Sequence, residues 1–209
     1  MLAQLAVAAV LLVIVRTLLV QSFVIPTGSM SPTLQAGDRV LVSRIGHHLG
    51  EVHRGDVIVF NGDGVFEPAA AQPSSTLARM GRAVASGLGA PVGEHDYAKR
   101  VIGLSGDHVV CCNADGRLMV NGAPLYETYL AEGMAPSTVR FDIVVPPGRL
   151  WVMGDNRSDS ADSRAHLGDP GGGTVPLDQV VGRVVVVWWP FGRVTGVGSP
   201  DPTRTTSTG

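Results

Sequence analysis

From Asp38 onward the chain is a succession of short β-branched runs separated by turn signals, and this rhythm limits the possible folds more than any other feature. Arg39 to Ser43 and Asp56 to Phe60 read as strands, and Leu118 to Val120 followed by Asn121-Gly122 is a strong type I′ hairpin signal. Phe141 to Val145, a Pro146-Pro147-Gly148 turn and Leu150 to Met153 predict a further strand pair. The last run, Val180 to Trp189, is stopped by Pro190. No helical pattern separates these strands, so the reading is a mainly β, antiparallel domain rather than alternating βαβ units. With 209 residues, 44% of them apolar and only 16% charged, the chain has enough material for a packed core.

Two segments break the rhythm. Residues 61–95 are rich in Gly, Ala, Pro and Ser and read as a flexible insertion, within which Leu77, Met80, Val84 and Leu88 recur at helical spacing. The tail, residues 193–209, carries Pro, Thr and Ser with no apolar anchor after Ser199 and is expected to be disordered. Before the strands, Met1 to Val15 holds a single polar side chain, Gln4. No Lys or Arg precedes Arg16 and no small-x-small site follows the apolar run, so a cleavable leader fits poorly. Residues 1–22 are therefore expected to be an uncleaved membrane anchor, with residues 23–192 forming one domain beyond it.

Charge and cysteine usage exclude several function classes. A net charge of −2 without a basic block argues against nucleic acid as a partner. The two cysteines, Cys111 and Cys112, are adjacent, which offers neither a disulfide framework nor a zinc-binding CxxC. They read as structural, because neighbouring strand residues point to opposite faces. Of 16 basic residues only one is lysine, Lys99, so its presence invites a chemical explanation.

Three clusters could carry chemistry. Pro26-Thr27-Gly28-Ser29-Met30-Ser31-Pro32 sets a serine on a stiff turn directly after the apolar segment, although such a turn alone reads as a simple juxtamembrane connection. A serine needs a base. The chain has six histidines but neither G-x-S-x-G nor H-E-x-x-H, and Ser105 fits the former only loosely. Lys99, between Tyr97, Ala98, Val101 and Ile102, is the alternative: at its reference pKa only about one lysine in a thousand is neutral near pH 7.4, and burial raises that fraction. If the segment is a strand, Arg100 alternates to the opposite face and leaves Lys99 free to point inward. The third cluster, Gly154 to Arg164, lacks the glycine and terminal glutamate of a calcium loop and is a polar turn with Asp–Arg pairs and hydroxyls.

Taken in order, the apolar segment, Pro-Thr-Gly-Ser-Met-Ser-Pro-Thr-Leu34, Gly37-Asp38-Arg39-Val40, Lys99-Arg100-Val101-Ile102-Gly103 with Gly106-Asp107, and Gly154-Asp155-Asn156-Arg157 through Ser160-Ala-Asp-Ser-Arg164 resemble bacterial type I signal peptidase. That is the Ser-Lys leader peptidase family of the plasma membrane. The resemblance implies the antiparallel β-sheet fold shared with repressor autoproteases, preceded by one transmembrane helix. It implies Ser29 as nucleophile, Lys99 as general base, Ser160 orienting that lysine, and Asp162 with Arg164 as an ion pair beneath the site. Thr27 and the Ser29 N–H would hold the oxyanion, and Phe23, Ile25, Pro26, Met30, Leu34, Tyr97 and Ala98 would line shallow substrate pockets.

The expected partners are preprotein signal peptides cleaved after small-x-small sites, and membrane phospholipid, which Trp188, Trp189 and Phe191 could touch if they do not close the core instead. A monomer without metal or organic cofactor is expected, single-pass in the plasma membrane with its catalytic domain extracytoplasmic. The rival readings are a specialised or self-cleaving Ser-Lys protease, and a non-catalytic membrane-tethered β-domain.

Overall fold

A computed structural model describes residues 20–44, 52–67 and 95–203, together with Gln4. Among these residues the chain forms twelve strands and two short 3₁₀ turns: β1 (Val20–Val24), β2 (Arg39–Ser43), β3 (Val57–Asn61), β4 (Asp96–Gly103), β5 (His108–Cys111), β6 (Met119–Val120), β7 (Ala123–Pro124), β8 (Phe141–Val144), β9 (Arg149–Met153), β10 (Val175–Pro176), β11 (Val180–Trp189) and β12 (Thr195–Gly196). The larger sheet has the order β1-β2-β11-β3-β4-β9-β10, with β12 on β11, and the smaller has β7-β6-β5-β8. All strand pairings are antiparallel, as the sequence rhythm implies.

The Val-rich strands lie at the centre because both faces of the large sheet are covered. On β3, Val57 and Val59 join one cluster with Phe23, Met30, Leu34, Val42 and Val187, while Ile58 and Phe60 join another with Val65, Val101, Val152 and Val180. A strand buried on both faces reads as a continuous apolar run rather than an alternation. A third cluster, including Ile102, Val109, Leu118, Phe141, Trp151 and Met153, joins the ends of β4 and β9 to the small sheet. At the β6–β7 turn Asn121 and Gly122 both have positive φ, 51° and 79°, the geometry a type I′ hairpin requires.

Several expectations change. β8 and β9 do not pair: β8 lies on β5 in the small sheet and β9 on β4 in the large one. Pro146 and Pro147 have no N–H to extend a ladder, and the Pro146-Pro147-Gly148 segment carries the chain from one sheet to the other. β1 begins at Val20, inside the stretch allotted to the anchor, and pairs with β2 from Val20 to Val24. Residues 1–19 apart from Gln4 lie outside the described residues, and among those described no helix is long and apolar enough to cross a membrane.

The inserted segment is described only at its ends, where Val65 and Phe66 are buried and Glu67 meets His95 at 2.7 Å; residues 68–94 lie outside the described part. The tail is described as far as Thr203, and residues 204–209 lie outside the described part. Thr195 and Gly196 pair with Val187 and Val186, and the Tyr126 N–H donates to the Pro202 carbonyl. Cys111 and Cys112 form a disulfide across a cis peptide. The face-alternation argument does not reach Cys112, because the last β5 pairing is Cys111 with Phe141.

Candidate active site

Ser29 sits on the turn between β1 and β2, just past the apolar plug formed by Phe23 and Ile25. The turn is closed by Ser31 N–H to Gly28 O and Leu34 N–H to Met30 O, and Met30 and Leu34 pin it to the core. This leaves Ser29 half-buried and Thr27 exposed at the surface. Thr27 Oγ1 donates to Ser29 Oγ at 3.3 Å, so the two hydroxyls meet.

β4 brings Lys99 to the same point: its Nζ lies 2.8 Å from Ser29 Oγ, although 70 residues separate them in sequence. Lys99 is 3% exposed. Burial pushes its pKa down to about 8, opposed by the Asp162 charge, assisted by Arg164, and opposed again by Asp155 and Asp159. About one molecule in five then holds a neutral amine near pH 7.4. Arg100 lies on the opposite face of β4 from Lys99, as alternation predicts, and that face does not reach solvent. Both faces of β4 are covered, and Arg100, 1% exposed, donates its Nε to Asp155 Oδ1 at 2.8 Å and an Nη to Oδ2 at 2.6 Å.

The loop after β9 closes the site from the other side. Gly154 has no room for a side chain: a Cβ there would lie 2.2 Å from Ser160 Oγ and 2.5 Å from the Ser29 carbonyl oxygen. Asp155 Oδ2 accepts from the Thr33 hydroxyl at 2.5 Å. The Asn156 N–H donates to Ser29 O at 3.1 Å, and its Nδ2 donates to Gly28 O at 3.2 Å. Beneath the loop, Arg164 grips Asp162 through Nε to Oδ1 at 2.8 Å and Nη2 to Oδ2 at 2.7 Å, while the Gly154 N–H donates to Asp162 at 2.9 Å. Burial alone would raise the Asp162 pKa, but the Arg164 bonds and charge and the two backbone N–H donors hold it below the usual carboxylate range. Buried Arg157 ties the loop to the 127–136 segment through Glu127 and Pro136 O.

The structure thus joins Ser29, Lys99, Thr27, Asp162 and Arg164 in one place. Ser160 also lies at this loop, yet its Oγ is buried without a hydrogen-bond partner and makes no bond to Lys99. Phe23, Ile25, Met30 and Leu34 share one cluster with Ala98 against it, each of the four at most 3% exposed, and Pro26 is exposed at the surface above them. Tyr97, two residues before Lys99 on β4, packs on the cluster of Phe60 and Phe66, stacks on Phe60, and donates its hydroxyl to Glu67 at 2.5 Å. Burial, with the Glu67 hydrogen bond and charge, raises that phenol to about 12. Ser105 is spent on the Arg149 carbonyl. Among the described residues no group of three or more His, Cys, Asp or Glu side chains is placed to hold a metal ion.

Sequence reasoning passed over Thr33, Arg100, Asp155 and Asn156 as individual site residues. The signal available was the step from the apolar β9 directly into Gly-Asp-Asn, which places polar side chains at a buried strand end. The arrangement is a serine hydroxyl against a buried amine, with a second hydroxyl beside it and a rigid, charge-paired floor, which suits acyl transfer.

A family model described as signal peptidase, peptidase S26, matches residues 1–189. Signal peptidase I of Mycobacterium tuberculosis is 38% identical over 222 residues, covering 94% of this chain and 74% of its own length. The probable signal peptidase I of Mycobacterium leprae is 38% identical over 227 residues, covering 94% and 78%. Signal peptidase IB of Staphylococcus aureus is 32% identical over 217 residues, covering 96% of this chain and 94% of its own.

Proposed function

This chain belongs to the signal peptidase family, peptidase S26, whose members are serine-type hydrolases, and from that premise we propose that it is a membrane-bound endopeptidase that removes N-terminal signal peptides from secreted preproteins. Ser29 is the nucleophile, Lys99 the general base, and cleavage follows small-x-small sites at the outer face of the plasma membrane, with the apolar N-terminal segment anchoring the domain. The observation that carries this reading is the 2.8 Å approach of a buried lysine amine to the hydroxyl of a serine on an exposed turn.

Neutral Lys99 takes the Ser29 proton as Oγ attacks the scissile carbonyl carbon, whose oxygen becomes an oxyanion. The Thr27 hydroxyl, 3.3 Å from Ser29 Oγ, and the Ser29 N–H serve as the oxyanion donors. Lys99 returns its proton to the leaving amine as the peptide C–N bond breaks, leaving an ester on Ser29. It next deprotonates a water that attacks the ester, and Ser29 recovers a proton from Lys99 as the acid product leaves. The burial that leaves part of the Lys99 amine neutral near neutral pH also keeps water from competing for its lone pair. Asp162 and Arg164 fix the floor on which Lys99 rests.

Small side chains before the cleaved bond agree with walls built from Phe23, Ile25, Met30 and Leu34, because these are almost fully covered by their own packing and offer little depth. Exposed Phe191, stacked edge-on with Trp189, offers an apolar contact to phospholipid. The test is cleavage of a preprotein bearing an Ala-x-Ala site by the full chain in detergent with phospholipid. Ser29→Ala and Lys99→Ala are each expected to abolish it; cleavage surviving in either variant contradicts the assignment.

A further inference from the structure

Among the described residues, Asn156 is the one side chain that holds the backbone of the Ser29 turn from outside it. Its Nδ2 donates to the Gly28 carbonyl at 3.2 Å and its own N–H to the Ser29 carbonyl at 3.1 Å. Its amide is itself oriented, because Ser158 Oγ donates to Asn156 Oδ1 at 3.1 Å and so turns the nitrogen toward Gly28. Gly154, two residues earlier, permits the approach, since any Cβ there would strike the Ser29 carbonyl.

The Gly28–Ser29 peptide is planar, with its carbonyl and N–H pointing in opposite directions. Whatever fixes the Gly28 carbonyl therefore aims the Ser29 N–H. The Ser31 N–H holds that carbonyl from within the turn at 3.0 Å, and Asn156 holds it from the facing loop. Among the described residues nothing accepts a hydrogen bond from the Ser29 N–H, which leaves it available to a ligand.

We propose that Asn156 is a positioning residue that aims the Ser29 N–H at the developing oxyanion by clamping the Gly28 carbonyl. The inference rests on the Ser29–Lys99 reading and adds to it the element that preorganises the oxyanion donor. A preorganised donor acts on the transition state and not on the ground state. Loss of the clamp therefore lowers kcat and leaves KM in place. Removing an oxyanion donor outright lowers kcat about 10²- to 10³-fold; loosening its aim is expected to lower kcat about 10- to 100-fold. The Lys99 amine is not touched, so the pH midpoint of activity stays where it is in the unaltered chain.

The experiment measures kcat, KM and pH midpoint for the full chain, Ser29→Ala, Asn156→Ala and Ser158→Ala on a preprotein with an Ala-x-Ala site. It also measures inhibition by a peptide aldehyde ending in alanine, in which Ser29 Oγ adds to the aldehyde carbon, its proton passes to Lys99, and the aldehyde oxygen becomes an oxyanion. The proposal expects kcat for Asn156→Ala to fall about 10- to 100-fold at constant KM and pH midpoint, with aldehyde affinity falling in the same proportion. Ser158→Ala is expected to shift both in the same direction by about two- to fivefold, and it decides the matter by the same readings if Asn156→Ala does not fold. A kcat within 1.5-fold of the full chain in each folded variant, a loss confined to KM, or unchanged aldehyde affinity beside a reduced kcat overturns the proposal. Cleavage that survives in Ser29→Ala is a separate result and overturns the parent reading along with it.

Discussion

Replacing Lys99 by methionine isolates the energetic consequence of burying an amine in this site. The side chain is 3% exposed and its pKa is lowered from 10.5 to about 8. The unfolded chain therefore binds more protons than the folded one between those values, and wild-type stability rises as pH increases through that window. Below pH 8 the buried ammonium costs about 3 kcal/mol relative to a neutral group. Between pH 7 and pH 10 about 2 to 3 kcal/mol of that cost is relieved. Methionine fills similar volume without a charge and gives up only the hydrogen bond to Ser29, worth about 1 kcal/mol. Lys99→Met is thus expected to be inactive yet more stable than wild type by about 2 kcal/mol at pH 7, an advantage that vanishes near pH 10. For a chain of this size that is a rise in Tm of about 4–8 °C at pH 7. Thermal unfolding of the detergent-solubilised full chain, followed through the fluorescence of Trp151 in the core, reads it directly. Groups that titrate in both proteins cancel in the difference. A stability difference that does not change between pH 7 and pH 10, or a less stable variant at pH 7, would refute the reasoning.

Other perturbations have outcomes of different kinds. Asp155→Ala leaves the Arg100 guanidinium buried and unpaired, so urea denaturation should show a loss of about 3–5 kcal/mol, and a loss below 1 kcal/mol would mean that Arg100 finds water. Thr27→Val removes the hydroxyl that stands 3.3 Å from Ser29 Oγ and should lower kcat by about 10²-fold, whereas Thr27→Ser should stay within about threefold; equal activity of the two would take Thr27 out of the oxyanion role. Tyr97→Phe should leave kcat/KM within about twofold, because its hydroxyl serves Glu67 rather than the Ser29 turn, and a large rise in KM would return it to the substrate pocket.

The parts of the fold that were legible in the sequence are those set by local packing. β2 and β11 occupy the runs Arg39–Ser43 and Val180–Trp189 because β-branched side chains there pack on the pleated surface, and the Asn121-Gly122 turn follows from its two positive φ angles. Pairing was harder to read. Phe141–Val144 and Arg149–Met153 look like a hairpin, and the N–H-less prolines between them, with the competition of β5 for the first and β4 for the second, separate them. The start of β1 was hidden beside the short apolar run Leu18-Leu19-Val20, where a strand and the end of an anchor look alike over a few residues.

At the site, Ser29 and Lys99 were recognised by motif, and their meeting depends on β4 crossing beneath a turn 70 residues away. Thr33, Arg100, Asp155 and Asn156 went unread because a polar loop and an alternating strand both suggest solvent, while the large sheet buries β4 on both faces. Ser160 was read as the lysine's hydrogen-bond partner, and its buried hydroxyl instead stands over Gly154 with no partner.

The most direct test of the account is the pH dependence of kcat/KM for cleavage of an Ala-x-Ala preprotein by the full chain, from pH 6 to pH 10. A lysine held at about 8 by burial predicts activity that rises with pH and levels off above a midpoint near 8. A profile flat across this range, or one still climbing toward a midpoint above 10, would contradict Lys99 as the base.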